Sequence, residues 1–299
     1  GGNEWVLDYD AMYTKMMSSP SSVSSLTLVT PEDNAPVATD YMFKVNGNVI
    51  LNNAVVQNNY GKVLTSVFSV ASGANVTLNS GAKVTHNASI NVANENKFNA
   101  SVAYVANGGV LVMNDGADIS YNHMVGNNAT LAYLHGDFIV NGGDIHNNSS
   151  INCGGLVVIL DTTGVLTVND GHIYENTNLV KNGANAAGAI FVYGASKFIM
   201  NGGLIEKNYS SGTTVIYAYS ASSVELNGGT IRQEQRATHS GYSSYIAGAF
   251  TMGEDMTIEG GSIQIQKPFS SNATFDCDVW LGGTSTGSNG TFNHDLRAV

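Results

Sequence analysis

The sequence predicts an all-β solenoid, a single-stranded parallel β-helix of about eight three-strand coils that follows a short N-terminal capping helix. Three observations indicate this fold. The phrase Phe138–Asn148, two alternate apolar residues, an Asn-Gly-Gly corner, an isoleucine and then an asparagine, recurs seven more times. The repeats are short, and charged residues make up 12% of the chain, about half of the ~25% usual in globular proteins.

The strand that precedes each corner alternates apolar and polar residues, the period-2 pattern of a strand with one face inside. The eight strands are residues 43–45, 76–78, 111–113, 138–140, 166–168, 198–200, 224–226 and 256–258. The corner residues are Asn46, Asn79, Asn114, Asn141, Asn169, Asn201, Asn227 and, as a departure, Glu259. A glycine follows each of them and supplies the positive φ that a sharp bend needs.

An aliphatic residue follows each corner, and an asparagine lies three residues after it in most copies. The aliphatic positions are Ile50, Val84, Ile119, Ile145, Ile173, Ile205, Ile231 and Ile263. The amide positions are Asn53, Asn87, Asn122, Asn148, Asn176 and Asn208, replaced by Glu234 and Gln266 in the last two copies. An amide that recurs at one place is predicted to hydrogen-bond the copies above and below it, forming a ladder.

The spacing of the copies excludes other repeat folds. From Asn79 onward the corners are separated by 26 to 35 residues, which accommodates three short strands and a loop. A β-propeller blade needs roughly 40 or more residues, and the Leu-x-x-Leu-x-Leu pattern of leucine-rich repeats is absent. A single copy cannot bury its own apolar face, whereas stacked copies can.

Residues 1–40 differ from the repeats and are predicted to form an N-terminal cap, a short helix plus a strand. Residues 41–299 are predicted to form the β-helix domain, with a worn or truncated last coil. The net charge of −11 with only 12 Lys plus Arg argues against nucleic acid, an anionic membrane or a polyanionic substrate as partner. No apolar run is long enough to span a bilayer, so no membrane insertion is expected. The composition suits an extracellular or cell-surface location.

On these repeats, residues 43–282 resemble the right-handed parallel β-helix (pectate-lyase-like) superfamily, and the Asn-Gly-Gly-x-Ile-x-x-Asn unit is similar to repeats in adhesin-like surface proteins of gut bacteria. The resemblance is specific for fold and implies no single activity, because the superfamily includes lyases, glycoside hydrolases and non-catalytic adhesins. It also implies that an active cleft would lie on the outer face of one sheet.

The two residues that flank each inward-facing aliphatic residue point outward. The positions before it are Val49, Lys83, Asp118, Asp144, His172, Leu204, Thr230 and Ser262, and those after it are Leu51, Thr85, Ser120, His146, Tyr174, Glu206, Arg232 and Gln264. We therefore expect Asp118 and Asp144 to stack on adjacent coils as a candidate catalytic pair in which one pKa is raised. His146, His172, Tyr174 and Glu206 are the candidate ligand-binding residues around them. The alternative interpretation is a solvated polar face without a function.

Two functional hypotheses follow. The first is a non-catalytic module of an exported bacterial surface protein that binds a glycan or a host or partner surface protein. The second is a glycoside hydrolase that acts on neutral or amino-sugar glycans through Asp118 and Asp144. The signatures of the polygalacturonase-like hydrolases are absent, and no motif of the β-helical lacto-N-biosidases is found. Pectate lyases need clustered acidic residues for calcium and an arginine or lysine base, and a lyase is not expected because the only arginines are Arg232, Arg236 and Arg297. Neither a cofactor nor a metal site is expected.

Further expectations concern aromatic residues and cysteines. Variable loops leave from one corner, and their rings Phe98, Tyr242, Tyr245 and Phe269 are candidates for stacking on sugars or for packing their own loops. Cys153 and Cys277 are predicted to be free thiols, because they lie four coils apart and a disulfide needs Cα atoms within about 7 Å.

Overall fold

The computed structural model describes residues 41–61, 66–90, 100–126, 129–151, 153–159, 163–179, 187–210, 213, 215–233, 243–282, 291–292 and 296–298. These residues contain β-strands and no helix. The predicted N-terminal cap of residues 1–40 lies outside the described residues, and the capping helix, the division at residue 40 and the count of about eight coils stay predictions.

The strands of the first half of the chain are short. They are β1 (Tyr41–Val45), β2 (Asn48–Leu51), β3 (Val55–Gln57), β4 (Tyr60–Gly61), β5 (Ser66–Val70), β6 (Asn75–Leu78), β7 (Lys83–Thr85), β8 (Ala88–Ile90), β9 (Ala103–Val105), β10 (Val110–Met113), β11 (Asp118–Ser120), β12 (His123–Val125), β13 (Ala129–Leu134), β14 (Asp137–Val140), β15 (Asp144–His146) and β16 (Ser149–Ile151).

The second half continues the series and then merges some strands into longer ones. It comprises β17 (Gly155–Ile159), β18 (Val165–Val168), β19 (His172–Tyr174), β20 (Thr177–Leu179), β21 (Ile190–Val192), β22 (Lys197–Met200), β23 (Leu204–Glu206), β24 (Tyr209–Ser210), β25 (Ile216–Ala218), β26 (Ser223–Arg232), β27 (Ser244–Ile246), β28 (Ala249–Ile265), β29 (Ser270–Ser271), β30 (Thr274–Leu281), β31 (Thr291–Phe292) and β32 (Leu296–Ala298).

Equivalent strands of successive coils pair in parallel and form columns along the solenoid. The first column contains β1, β5, β9, β13, β17, β21, β25 and β27 and continues through the ends of β28 and β30 to β32. The second column contains β2, β6, β10, β14, β18, β22 and the first parts of β26 and β28. The third column contains β3, β7, β11, β15, β19, β23 and later parts of β26, β28 and β30. The predicted all-β parallel solenoid is confirmed.

A fourth column adds one strand to the three predicted for each coil. The strands β4, β8, β12, β16, β20 and β24 form a separate six-stranded parallel sheet. They follow directly after the amide positions, where the sequence shows no simple alternation. Most of the described side chains of this column are buried, for example Ser149, Ser150 and Ile151, whereas Val125 is partly exposed. The period-2 signal of a half-exposed strand is therefore missing.

The core is formed by the inward rows of the columns. In the third column the aliphatic side chains of Val84, Ile119, Ile145, Ile173, Ile205 and Ile231 are at most 1% exposed. Phe68, Phe138, Phe198 and Phe275 are the largest fully buried side chains of the same cluster. Burial of one such valine, isoleucine or phenylalanine side chain contributes about 1.5–3 kcal/mol to folding before the entropy cost is counted. Stacked coils therefore stabilise each other.

A buried asparagine ladder joins the coils, as predicted. The Nδ2 group of Asn148 donates to Oδ1 of Asn176 at 2.9 Å and to the carbonyl oxygen of Ile119 at 3.0 Å. Its Oδ1 accepts from both Nδ2 and the backbone N–H of Asn122. The same side-chain bond connects Asn59, Asn87, Asn122, Asn148, Asn176 and Asn208 in series. The amides therefore satisfy backbone groups at a buried turn.

A second asparagine ladder lies at the corners. Side-chain bonds of 2.7–2.9 Å join Asn52, Asn79, Asn114, Asn141, Asn169, Asn201 and Asn227. Most of these bonds are exposed to solvent, so they contribute less to stability than the bonds of the buried ladder.

The register assigned to the first repeat was wrong. Residues 43–45 pair with 68–70 in the first column, and Ile50 pairs with Thr77 in the second column, where its side chain is 59% exposed. Val49 and Leu51 are therefore not outward residues of the third column. The segment Val45–Ile50 has the same order of corner and aliphatic residue as the true corners, and only pairing with the next coil decides the register.

The shift moves the start of both ladders. Asn52 takes the corner position assigned to Asn46, and Asn59 takes the buried position assigned to Asn53. The last repeat is shifted too: Ile258 pairs with Ile231 in the third column, whereas Ile263 lies in the first column. Thr257 and Glu259, rather than Ser262 and Gln264, therefore flank the last inward isoleucine.

Cys153 and Cys277 are buried thiols that form no disulfide with each other, as predicted. Burial, followed by the charges of Asp278 and Asp276, raises the pKa of the Cys277 thiol to about 12, so this sulfur stays protonated. Among the described residues, no helix is long and apolar enough to cross a membrane.

Candidate functional site

The outer face of the third column brings together the six predicted site residues. Asp118, Asp144 and His172 are successive register partners on β11, β15 and β19. His146, Tyr174 and Glu206 form the parallel row on β15, β19 and β23, at the position two residues further along each strand. The inward isoleucine between the two rows fixes this outward orientation, because side chains alternate along a strand. The predicted stacking of these positions on adjacent coils is confirmed, while their role as a site stays a prediction. We call these six residues the third-column face.

Asp118 is tied to its neighbours on the third-column face. Its Oδ1 atom accepts a hydrogen bond from the hydroxyl of Ser120, and its Oδ2 atom lies 3.5 Å from Nε2 of His146. Burial raises the pKa of the Asp118 carboxyl, but the hydrogen bonds from His146 and Ser120 and the positive charges of His146 and Lys83 outweigh it. The pKa of Asp118 is therefore lowered, and the rise expected for a paired acid is not found at this residue.

His146 is the other half of this pair. Burial lowers the pKa of its imidazole, but the hydrogen bond to Asp118, the hydrogen bond to Asn147 and the charges of Asp118 and Asp144 raise it above its ordinary value. The ring of His146 also stacks on Tyr174, with centroids 4.9 Å apart and an interplanar angle of 9°. A protonated imidazole against an aromatic ring adds a favourable cation–π contact.

The stacked rings extend beyond the predicted residues. His172 and Tyr174 stack with centroids 4.0 Å apart on one strand. In the other direction Tyr121 contacts His146 edge-to-face at 5.6 Å, and His86 stacks on Tyr121 at 5.1 Å. The face therefore carries a row of five rings that crosses four coils.

His86 and Tyr121 were missed by the sequence reasoning. Both lie at the turn that follows a third-column strand and have positive φ, 57° and 54°. A positive φ is uncommon for a non-glycine residue and rarer still for a bulky one. His86 and Tyr121 each stand two positions after the inward aliphatic residue of their strand. The two outward rows taken from the sequence did not include this position.

Glu206 is held by basic groups on three sides. Its Oε1 atom accepts from Nε2 of His172 at 3.1 Å and lies 3.8 Å from the ammonium of Lys207, and its Oε2 atom accepts from Arg232 at 3.1 Å. Arg232 continues the row by donating to Glu259 at 2.6 Å. Burial raises the pKa of Glu206, but the Arg232 hydrogen bond, the Lys207 charge and the contact with His172 together lower it. The carboxylate is therefore ionised and engaged.

Asp144 differs from the other two carboxylates of the third-column face. It is exposed, and its side chain makes no hydrogen bond or ion pair with a residue that the structure describes. Asp118 and His172 are its register partners on the two sides. Asp144 is therefore the carboxylate of this face that is available to a molecule from solution.

Several other candidates are distributed differently. Phe269 is 7% exposed and packs against Phe250 and Phe275, so it fixes its own loop to the core. Tyr245 lies on the outer face of the first column beside Tyr217. Phe98 and Tyr242 lie outside the described residues. Within the described ranges, no group of three His, Cys, Asp or Glu side chains is arranged to hold a metal ion.

Comparisons with known proteins add no assignment. No protein-family model, no curated protein and no solved structure matches this chain. The fold is compatible with a parallel β-helix.

Proposed function

We propose that this chain is a non-catalytic, glycan-binding module of an exported bacterial cell-surface protein, adhesin-like and related in fold to the right-handed, pectate-lyase-like β-helices. The observation that carries the proposal is the exposed, unpaired Asp144 carboxylate between two partnered residues and beside stacked rings. A carboxylate that keeps its acceptor sites open binds the neighbouring hydroxyls of a sugar with charge-assisted hydrogen bonds.

The surroundings of Asp144 support a sugar as the ligand. The rings of His172 and Tyr174 provide rigid, amphipathic surface next to the carboxylate. The net charge of −11 disfavours an acidic polysaccharide, whereas a neutral or amino-sugar glycan meets no repulsion. A rigid stack of coils also holds the contact groups in place, which lowers the entropy cost of binding.

The electrostatics favour binding over hydrolysis. A general acid for glycoside hydrolysis needs a carboxyl whose pKa is raised so that it carries a proton near neutral pH. Asp118 and Glu206 both have lowered pKa values, because basic neighbours stabilise their charged forms. Both carboxylates therefore work as partners within the face.

A panel of immobilised neutral and amino-sugar oligosaccharides tests the proposal, with binding and release of reducing sugar measured on the same samples. We expect binding without turnover, and an affinity about tenfold lower for Asp144→Asn because one charge-assisted hydrogen bond is lost. Asp137→Asn is the matched control, since Asp137 lies on the second column in the same coil.

Two outcomes would contradict the proposal. Turnover by the wild-type protein that is lost in Asp144→Asn would establish a hydrolase at this site. If neither Asp144→Asn nor Asp137→Asn changed the affinity, the glycan would not bind at the third-column face.

A further inference from the structure

A second aromatic surface lies on the outer face of the first column, away from the third-column face. Five residues of three consecutive coils form it, and we call them the tyrosine patch: Phe191, Tyr193, Tyr217, Tyr219 and Tyr245. Phe191, Tyr217 and Tyr245 are register partners, so one ring projects from each coil, at intervals of about 4.8 Å. The ring centroids of Phe191 and Tyr217 are 5.8 Å apart, and those of Tyr217 and Tyr245 are 5.1 Å apart.

The patch presents rings in two orientations. Phe191 is nearly parallel to Tyr193 and to Tyr217, with interplanar angles of 10° and 12°. Tyr219 crosses this row and makes angles of 70°, 80° and 64° with the rings of Phe191, Tyr193 and Tyr217. The stacked row of rings stabilises the solenoid. Tyr219 lies across this row and does not extend the stack.

Exposure and charge indicate what the patch can bind. Tyr193 keeps 47% of its surface exposed, which is unusual for an aromatic ring that already has two ring neighbours. The five side chains carry no charge, and the nearby ammonium of Lys267 donates to the backbone carbonyl oxygen of Ser220. Burial, together with Tyr219 and Tyr245, raises the pKa of Tyr217 to about 12, so its hydroxyl stays a neutral donor.

We propose that the tyrosine patch is a second binding site, which takes an uncharged hexose chain lying along the solenoid axis. The patch presents one aromatic ring for each coil at a regular interval, and a hexose chain presents sugar rings at a regular interval. Tyrosine offers each sugar an apolar surface and a hydroxyl with little loss of side-chain entropy. The absence of charge in the patch residues selects a neutral polymer rather than the amino sugar that Asp144 would attract.

The probes are soluble starch, hydroxyethyl cellulose, mannan and galactan, each included in native gels to measure the retardation of the protein. We expect one of these polymers to retard the wild-type protein. Tyr193→Ala and Tyr219→Ala are each expected to raise the dissociation constant about tenfold, as for central aromatic contacts in other interfaces. Tyr193→Phe, which keeps the ring, is expected to retain most of the affinity. Ile199→Ala is the matched control, because it removes an outward apolar side chain from the second column of the same coil.

The site is independent of the proposed function, so the two fail separately. Asp137→Asn, at a second-column residue outside both proposed sites, is expected to leave the retardation by these polymers unchanged. Thermal unfolding of every variant shows whether the fold is intact. Retardation that is equal in the wild type, Tyr193→Ala and Tyr219→Ala would overturn the proposal. It would equally be overturned if none of the four polymers retarded the wild-type protein, or if Ile199→Ala weakened binding as much as Tyr193→Ala.

Discussion

Asp118 and His146 lie on adjacent coils, with 3.5 Å between Oδ2 of the aspartate and Nε2 of the histidine. The contact is diagonal, because the register partner of Asp118 is Asp144 and that of His146 is Ser120. The pair neutralises one carboxylate of the third-column face and leaves Asp144 open. Asp118 and Asp144 occupy the same position of the repeat, but Asp118 is a structural residue and Asp144 is a candidate ligand contact.

The Asp118–His146 pair predicts a pH window for stability. The lowered pKa of Asp118 contributes stability above its ordinary value of 3.8, and this is lost as the pH falls through the folded pKa. The raised pKa of His146 contributes stability that is complete below 6.5 and is lost as the pH rises through the folded pKa. The pair is thus most stabilising between these two values.

Asp118→Asn is expected to lower the free energy of unfolding by about 1 kcal/mol near pH 5.5 and by less near pH 8. Denaturant titrations at both pH values measure the change, and an NMR titration is expected to show a lower His146 pKa in this variant. Asp144→Asn is the control, since Asp144 is the smallest of the named causes that raise the His146 pKa. An equal effect of the two substitutions on His146 would contradict the assignment.

The buried asparagine ladder is expected to dominate the polar contribution to stability. Asn148→Ala removes the acceptor of the backbone N–H and of the Nδ2 group of Asn122, and it removes the side-chain donor to the carbonyl oxygen of Ile119. We expect a loss of about 3 kcal/mol, since each buried orphan group costs about 1–3 kcal/mol. Asn141→Ala in the exposed corner ladder is the matched substitution in the same coil, with an expected loss below about 1 kcal/mol. Similar losses in a denaturant titration would show that the two ladders are equivalent.

Gly143 is a corner position that requires glycine. Its φ is +85°, and a Cβ atom there would collide with the carbonyl oxygen of Ala117 in the preceding coil. Gly143→Ala is therefore expected to lower the free energy of unfolding by more than about 1 kcal/mol. Gly47→Ala is the control, because a Cβ at Gly47 meets nothing within 4 Å. Equal midpoints of chemical unfolding for the two variants would contradict this reading of the corner.

The alignment of the repeats on their corners was sufficient to place Asp118, Asp144 and His146 on one face, because residues at the same distance from a corner stack whatever their side chains are. It was not sufficient at Ile50, where two registers fit the local pattern equally well and only pairing with Thr77 decides. The direction of the Asp118 pKa shift also escaped prediction. That direction depends on the contact of His146 with Asp118, which is not its register partner, and an alignment of register partners does not show this contact.

The tyrosine patch shows the same limit in another form. Phe191, Tyr217 and Tyr245 lie on the first-column strands β21, β25 and β27, where alternation alone marks them as outward residues. Tyr193 and Tyr219 lie just beyond the strand ends, at Val192 and Ala218. Their contribution depends on how the chain leaves each strand, and the contact between their rings at 4.8 Å became visible only in three dimensions.

The central claim is that glycan binds the third-column face beside Asp144. Histidine NMR spectra of the Tyr193→Ala/Tyr219→Ala double variant, recorded while the best-binding oligosaccharide is added, test it most directly, because the second site is then removed. We predict that the resonances of His146 and His172 shift with the binding curve, and that Asp144→Asn moves the midpoint of these shifts to an about tenfold higher oligosaccharide concentration. Saturable binding that leaves both histidine resonances unmoved would contradict the account.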